Sequence, residues 1–276
     1  MRSPSLHARP GHVFGWKRDT PDPRDQKYAA PFWKKLFLPA KADLRSFCSR
    51  VEQQGDIGSC TANASTSAVE FLYKKSGRPQ PELSRLFLYY ATRVWVADEA
   101  PTTDDGAMIR NVVKALAKYG VCYESTWAYA SPRYALEPSP AAKAEAEQHQ
   151  ILGYYRCPSL RYIKACLAEG YPCVGGFSVP ESIDSEKTTK TGVLTYPPPQ
   201  ENFVGGHAVL FVGYDDKTQL LTFQNSWGTW WGDKGYGYLP YAFVTDGLAA
   251  DFWTIRTAEN VGPLDTSMRP RTSITQ

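Results

Sequence analysis

From Cys60 to Lys75 the chain runs without glycine or proline, first through small residues and then through Val69, Phe71 and Leu72. Lys74 and Lys75 close the run and Gly77 lies just beyond, which are helix-stop signals, so a helix over 60–75 is predicted. Its small-residue first half suits close packing on several sides. Residues 84–96 predict a second helix with Ser84 as its cap. A third is predicted over 105–119, where Ile109, Val112, Val113, Leu116 and Ala117 form one stripe at helical spacing before Gly120. Shorter helices are predicted over 141–148 and 159–169. After Gly170 the character changes to short apolar or alternating runs, which predict strands over 174–179, 208–214, 220–224, 236–239 and 252–256. Residues 215–218 read as a hairpin loop between two of them. A helical front half and a β-rich back half point to an α+β protein with two segregated lobes. Ligand sites favour the cleft between such lobes. No internal repeat interrupts this division.

Composition narrows the picture. Of 276 residues 42% are apolar and 21% charged, enough to bury a sizeable core and too much for wholesale disorder. No apolar run approaches the ~18 residues of a spanning helix. The first ten residues are basic with no apolar stretch behind them, so no Sec-type signal peptide is expected; the chain is cytoplasmic at synthesis or exported by another route. The net charge of +3 is too small to argue for nucleic acid. Charge is unevenly placed, however. Residues 1–50 hold 11 Lys/Arg against 4 Asp/Glu (+7), leaving 20 against 24 (−4) for the rest, and the first forty residues contain six prolines. Residues 1–40 therefore read as an arm, either a disordered tail or a docked segment, on a globular body over 41–260 with a tail over 261–276. Electrostatic attraction between arm and body would help docking only modestly at physiological salt. Six cysteines in a chain this long are not a small-scaffold disulfide framework. None forms a C-x-x-C pair and no tract reads as a zinc site, so no metal is expected.

Three strings carry chemistry. The first, Gln53-Gln54-Gly55-Asp56-Ile57-Gly58-Ser59-Cys60, puts a cysteine at the N-terminus of the best helix, where free amide N–H groups and the helix dipole favour a thiolate. Most free cysteines are simply small buried hydrophobes, as Cys166 on the stripe of Ile163 and Leu167 illustrates. The second string, Gly205-Gly206-His207-Ala208, holds the one histidine of four at the mouth of a buried strand. The third, Asn225-Ser226-Trp227-Gly228, ends the strand expected to pair with that of His207. A carboxamide there can accept from the imidazole, with Trp227 covering the bond. Read singly, His207 and Asn225 are more often structural, and the tryptophan core.

Together and in this order, from about residue 43 to 256, the strings resemble the papain-like cysteine peptidases. Gln54 falls where that family keeps its oxyanion glutamine, and Gly58-Ser59-Cys60 matches its nucleophile turn. Gly206-His207-Ala208 and Asn225-Ser226-Trp227-Gly228 match its histidine and asparagine motifs. Asp105-Gly106, Lys118-Tyr119-Gly120 and Trp127-Ala128-Tyr129 look like its glycine-led helix and aromatic corner. The resemblance implies a helical N-terminal lobe, a barrel-like C-terminal lobe and an active-site cleft between them. Cys60, His207 and Asn225 are then the catalytic triad of an endopeptidase working through a thioester, with a thiolate–imidazolium pair at its centre. Gln54 and the Cys60 backbone N–H form the oxyanion hole, and Gly106, Met108, Gly206 and Trp227 line the substrate.

Peptide or protein is the expected partner, with no cofactor, nucleic acid or membrane; docking of the arm on its own cleft, as a short prosegment that blocks or shapes the groove, stands as an open alternative to a disordered tail. The sequence also departs from the family signature, with Ile57 and Thr61 where it has a cysteine and an aromatic. The disulfide beside the active site is thereby lost, which leaves Cys48 and Cys122, both near loop ends, as a candidate pair. Two other functions use the same parts: a transglutaminase-like acyltransferase, and a catalytically silent binding protein that keeps the fold.

Overall fold

In this computed structural model residues 13–29, 37–259 and 261 are described. The beginning and a middle piece of the arm, and nearly all of the 261–276 tail, lie outside the described residues.

The arm contributes a two-residue strand, β1 (Trp16–Lys17), and β2 (Lys41–Asp43) follows it. Helix α1 (Cys60–Lys75) has the predicted bounds, and every residue in it except Lys74 is buried, as its small-residue half requires. α2 (Arg85–Tyr90) is capped by the Ser84 side chain, which accepts from the Phe87 N–H, and widens into a π-helix over Ala91–Val96. Next come β3 (Ala107–Met108) and α3 (Ile109–Lys118). The third helix thus begins four residues later than its pattern predicts. Gly106 has φ of 79°, and the two residues after it are taken into pairing with the arm.

The second lobe begins with α4 (Pro140–Ala146), β4 (Ile151–Arg156), α5 (Leu160–Ala168) and β5 (Cys173–Pro180). It continues through α6 (Glu186–Thr191), β6 (Phe203–Asp215), β7 (Leu220–Gln224), β8 (Tyr236–Pro240), α7 (Tyr241–Thr245) and β9 (Ala249–Ala258). The strands form one sheet in the order β4-β9-β5-β6-β7-β8, with β2 antiparallel on the end of β6. Among the described residues β4 and β8 do not pair, so the sheet of this barrel-like lobe stays open. Phe177, Phe211, Phe223, Phe243, Trp231 and Trp253 are fully buried against it, and Phe71, Phe87 and Tyr89 fill the helical lobe. No helix among the described residues is long and apolar enough to cross a membrane.

Where the lobes meet, the Gln54 N–H donates to the Ser226 carbonyl at 2.9 Å, and Gln53 bridges Trp227. The buried Arg85 pairs with Glu52 at 2.7 Å and lies over the Tyr129 ring. Arg93, wholly buried, donates to the carbonyls of Pro101, Thr103 and Tyr134 and so holds the loop that leads to Gly106.

The arm is docked. β1 pairs parallel with β3, Trp16 opposite Ala107 and Lys17 opposite Met108, and the Tyr28 N–H donates to the Arg156 carbonyl at 2.8 Å. Among the described residues, its ion pairs with the body run mainly through its carboxylates, against its net charge. Asp25 pairs with Arg110 at 2.5 Å and with Arg156 at 3.1 Å, and Asp19 faces Arg156 at 3.4 Å, while Lys17–Glu99 at 2.8 Å runs the other way. Specific carboxylate–guanidinium contacts, rather than a general attraction of a basic arm to an acidic body, hold it in place. Asp19 also accepts from Trp253 Nε1 at 2.8 Å and from the Arg110 N–H at 3.1 Å, and its own N–H donates to Asp251 at 2.7 Å. Burial, reinforced by the Asp251 carboxylate, raises its carboxyl from 3.8 to about 6. A carboxyl raised in the docked state contributes stability that is present below its free value of 3.8 and is lost as pH rises through about 6. Asp19→Asn imitates the protonated acid. The stability of wild type relative to this variant, followed by denaturant unfolding across a pH series, is therefore expected to fall as pH passes from 4 to 7; parallel profiles would contradict this.

Candidate active site

The turn that leads into Cys60 is built from polar groups that clamp one another. The Gly58 N–H donates to Asp104 Oδ1 at 3.0 Å, and the Tyr89 hydroxyl donates to the same oxygen. Ser59 Oγ lies 2.6 Å from the Tyr129 hydroxyl and accepts from Asn63 Nδ2 at 3.0 Å. Tyr129 donates to the Gln54 carbonyl at 2.7 Å. The chain enters α1 with Cys60 as its first residue, fully buried, and the Ala208 N–H donates to Cys60 Sγ at 3.4 Å. The sulfur of the first lobe therefore rests against the peptide that follows His207 in the second.

His207 is carried on β6, wholly buried. Its Nε2 lies 2.7 Å from Asn225 Oδ1, just past the end of β7. Trp227 stacks on the imidazole with centroids 4.4 Å apart and planes at 26°, and Trp231 packs edge-on against Trp227. Gln54 is also fully buried. Its Oε1 accepts from Ser226 Oγ at 2.7 Å, which turns Nε2 toward the Ile57 carbonyl at 3.2 Å and the Val13 carbonyl at 3.0 Å. Cys60, His207, Asn225, Gln54 and Trp227 are thus brought together from four segments.

Over them runs the arm. The Ala107 N–H donates to the Gly15 carbonyl at 2.7 Å. A Cβ on Gly15 would come within 1.9 Å of the Gly58 carbonyl oxygen, one on Gly106 within 2.0 Å of the Gly15 oxygen, and one on Gly206 within 2.5 Å of the Trp16 oxygen. Phe14 presses edge-on against both His207 and Trp227. Gly106 and Gly206, expected to admit a substrate strand, admit residues 15 and 16 of the chain itself. Met108 pairs with Lys17 and borders a cavity of about 190 Å³ with Lys17, Arg93 and Glu99. A larger cavity of about 360 Å³, lined by Arg24, Arg110, Tyr154 and Trp253, includes none of the site residues. Void volume does not locate the site because the arm fills it.

The cover changes the sulfur. Burial pushes the Cys60 thiol up to about 11, against backbone N–H groups of Ala208, Gly15 and Thr61 that favour the thiolate. The helix N-terminus predicts the opposite direction, but a dipole contributes only about 0.3–1 kcal/mol at an exposed end. Each pKa unit is worth about 1.4 kcal/mol, so desolvation prevails while the arm is seated. Cys48 and Cys122 are not bridged, and all six cysteines are free and buried.

Several groups at this site escape a reading of the sequence. Asp104 looks like an ordinary turn residue, and Ser226 and Tyr129, though inside recognisable strings, gain their particular task only through distant partners. Phe14-Gly15-Trp16, two large rings around a glycine in a polar arm, is the one visible sign of docking. Cys157, Cys166 and Cys173 come together elsewhere with no signature spacing.

Comparison with known proteins agrees with this arrangement. The model of the papain family cysteine proteases matches residues 38–246. An uncharacterized peptidase C1-like protein of Acanthamoeba polyphaga mimivirus is 35% identical over 272 residues, covering 88% of this chain and 86% of the viral protein. The cathepsin L-like proteinase of Fasciola hepatica is 27% identical over 72% of this chain, which spans only 59% of that longer protein. Among solved structures, xylellain, a cysteine protease from Xylella fastidiosa, superposes with a TM-score of 0.82 at 36% identity, covering 88% of this chain and 96% of its own. The procathepsin B of Trypanosoma congolense shares the fold at a TM-score of 0.70 and 17% identity. With its two lobes, its cleft and these relatives, the chain belongs to the papain family and is a cysteine-type peptidase.

Proposed function

We propose that the protein is an endopeptidase whose triad is Cys60, His207 and Asn225, and that its N-terminal arm is a built-in cover for the cleft. The observation that carries this reading is the Val13 carbonyl of the arm, which accepts from Gln54 Nε2 at 3.0 Å, the donor proposed to meet a scissile carbonyl. When the arm leaves, water reaches Cys60, the desolvation cost falls, and the thiol proton passes to His207. The thiolate attacks the peptide carbonyl, and the oxyanion is held by Gln54 Nε2 and the Cys60 N–H. His207 then gives its proton to the departing amine as the C–N bond breaks. It next takes a proton from the water that hydrolyses the thioester, and the thiol is released. Asn225 holds the ring throughout, while Trp227 shields their hydrogen bond from water.

Cys60→Ala is expected to abolish cleavage of a quenched peptide substrate. Gln54→Ala should lower kcat by about 10²–10³-fold, the usual effect of one oxyanion donor. Transfer of the acyl group to an added amine in place of cleavage would mark an acyltransferase. An inert Cys60 in a chain whose arm has been displaced would mark a binding protein.

Gly15→Ala tests the cover without touching the triad. Its methyl group meets the Gly58 carbonyl, and an overpacking penalty of roughly 1–3 kcal/mol corresponds to about 5- to 150-fold in arm docking. Alkylation of Cys60 by iodoacetamide and peptide cleavage are both expected to rise over that range. Unchanged rates would show that the arm does not limit access.

A further inference from the structure

The sheet lobe carries a second cluster of nucleophilic groups that takes no part in the cleft. Cys157 follows the last residue of β4, Cys166 lies in α5 and Cys173 opens β5, and all three are buried. Their sulfurs all lie within 4.8 Å of one another, with Cys157 and Cys173 at 3.8 Å. Zinc–sulfur bonds of about 2.3 Å at tetrahedral angles place neighbouring sulfurs about 3.8 Å apart, so little movement is needed to close the three on one ion. Around Cys166 the surroundings are polar. Thr254 Oγ1 lies 3.1 Å from its sulfur, and Arg256 Nη1 donates to it at 3.7 Å.

We propose that Cys157, Cys166 and Cys173 bind one thiophilic divalent metal ion, with zinc the best match, as a structural site bracing the sheet lobe. Binding exchanges three thiol protons, released to solvent, for three metal–sulfur bonds, with no change of oxidation state. Three thiolates and a divalent ion leave one negative charge, which the Arg256 guanidinium balances; a monovalent ion would leave two. Thr254 Oγ1 is the oxygen beside Cys166 for a fourth position. A cavity of about 460 Å³ bordered by Cys157, Leu160 and Phe252 gives the ion a way in. The ion would tie the end of β4 and the helix α5 to the start of β5, the strand on which Phe177, four residues further along, packs edge-on against His207. Sequence spacing hides the site because its ligands are nine and seven residues apart and meet only through the fold.

The test uses the full chain as Cys60→Ala, so that the cleft sulfur cannot contribute. Stripped of metal under reducing conditions, it is titrated with Zn²⁺ and, as a spectroscopic probe, with Cd²⁺. One equivalent is expected to bind, with a thiolate-to-cadmium charge-transfer band of three-sulfur intensity and a rise in Tm. Cys157→Ser, Cys166→Ser or Cys173→Ser should each weaken binding by about 10–100-fold or more, whereas Cys48→Ser and Cys122→Ser should leave it unchanged. The unsubstituted ligand set is read directly by the Cd²⁺ band, so the result does not depend on whether the serine variants fold. Absence of stoichiometric binding, binding indifferent to the three serines, or a disulfide found by mass spectrometry among the three cysteines of protein purified without reductant would each overturn the proposal.

Discussion

The contact on which the cleft depends is the seam between Gln54 and Ser226. One residue on each side supplies two bonds, Gln54 N–H to the Ser226 carbonyl and Ser226 Oγ to Gln54 Oε1. A site assembled from two lobes is only as well placed as the joint between them, because small misplacements of reacting groups are costly. Here the joint lies inside the site. Gln54 takes its orientation from Ser226, whose neighbours Asn225 and Trp227 hold and cover the imidazole. An error in the seam would therefore disturb Gln54 and His207 together.

The arm meets this floor with backbone more than with side chains. Gly15 passes between Gly58 and Gly106 where no Cβ fits, and the rings of Phe14 and Trp16 on either side of it in the chain pack on the β5–β6 face beside Gly205, Gly176 and Gly206. Packing at that closeness excludes water from the sulfur, and so a contact made for shape has an electrostatic result: the thiol is held neutral. The ion pairs of Asp25 with Arg110 and Arg156, and the hydrogen bonds that Asp19 accepts from the Arg110 N–H and Trp253 Nε1, hold the same segment further along. Cover and anchor lie in adjoining parts of one stretch.

How much of this the sequence discloses depends on whether the cause is local. Cys60–Lys75 is legible because its start, its stop and its lack of breakers all lie within the run. The start of the third helix is not, because Ala107 and Met108 are claimed by residues 16 and 17, far away in the chain. Strand β4 is half exposed with a glycine inside it and has no clear alternation to read. The same division holds at the site. Cys60 announces itself through the helix it begins, and His207 and Asn225 through their order and their strand ends. Ser226 acts on Gln54 172 residues away, Asp104 on Gly58 46 residues away, and Tyr129 on Ser59 70 residues away. Ser226 and Tyr129 lie inside strings that stand out in the sequence, but nothing near them names these partners, and Asp104 looks like a common turn residue.

Asn225 Oδ1 accepts from the Ser226 N–H at 2.8 Å while facing His207 Nε2. An amide flipped end over end would bring its NH₂ against that peptide hydrogen, so the oxygen's position is set by the main chain alone. An oxygen that only accepts requires a hydrogen on Nε2, which leaves Nδ1 as the nitrogen that exchanges a proton. The choice of tautomer, and with it which side of the ring performs acid–base work, is therefore written by a backbone amide one residue beyond the asparagine.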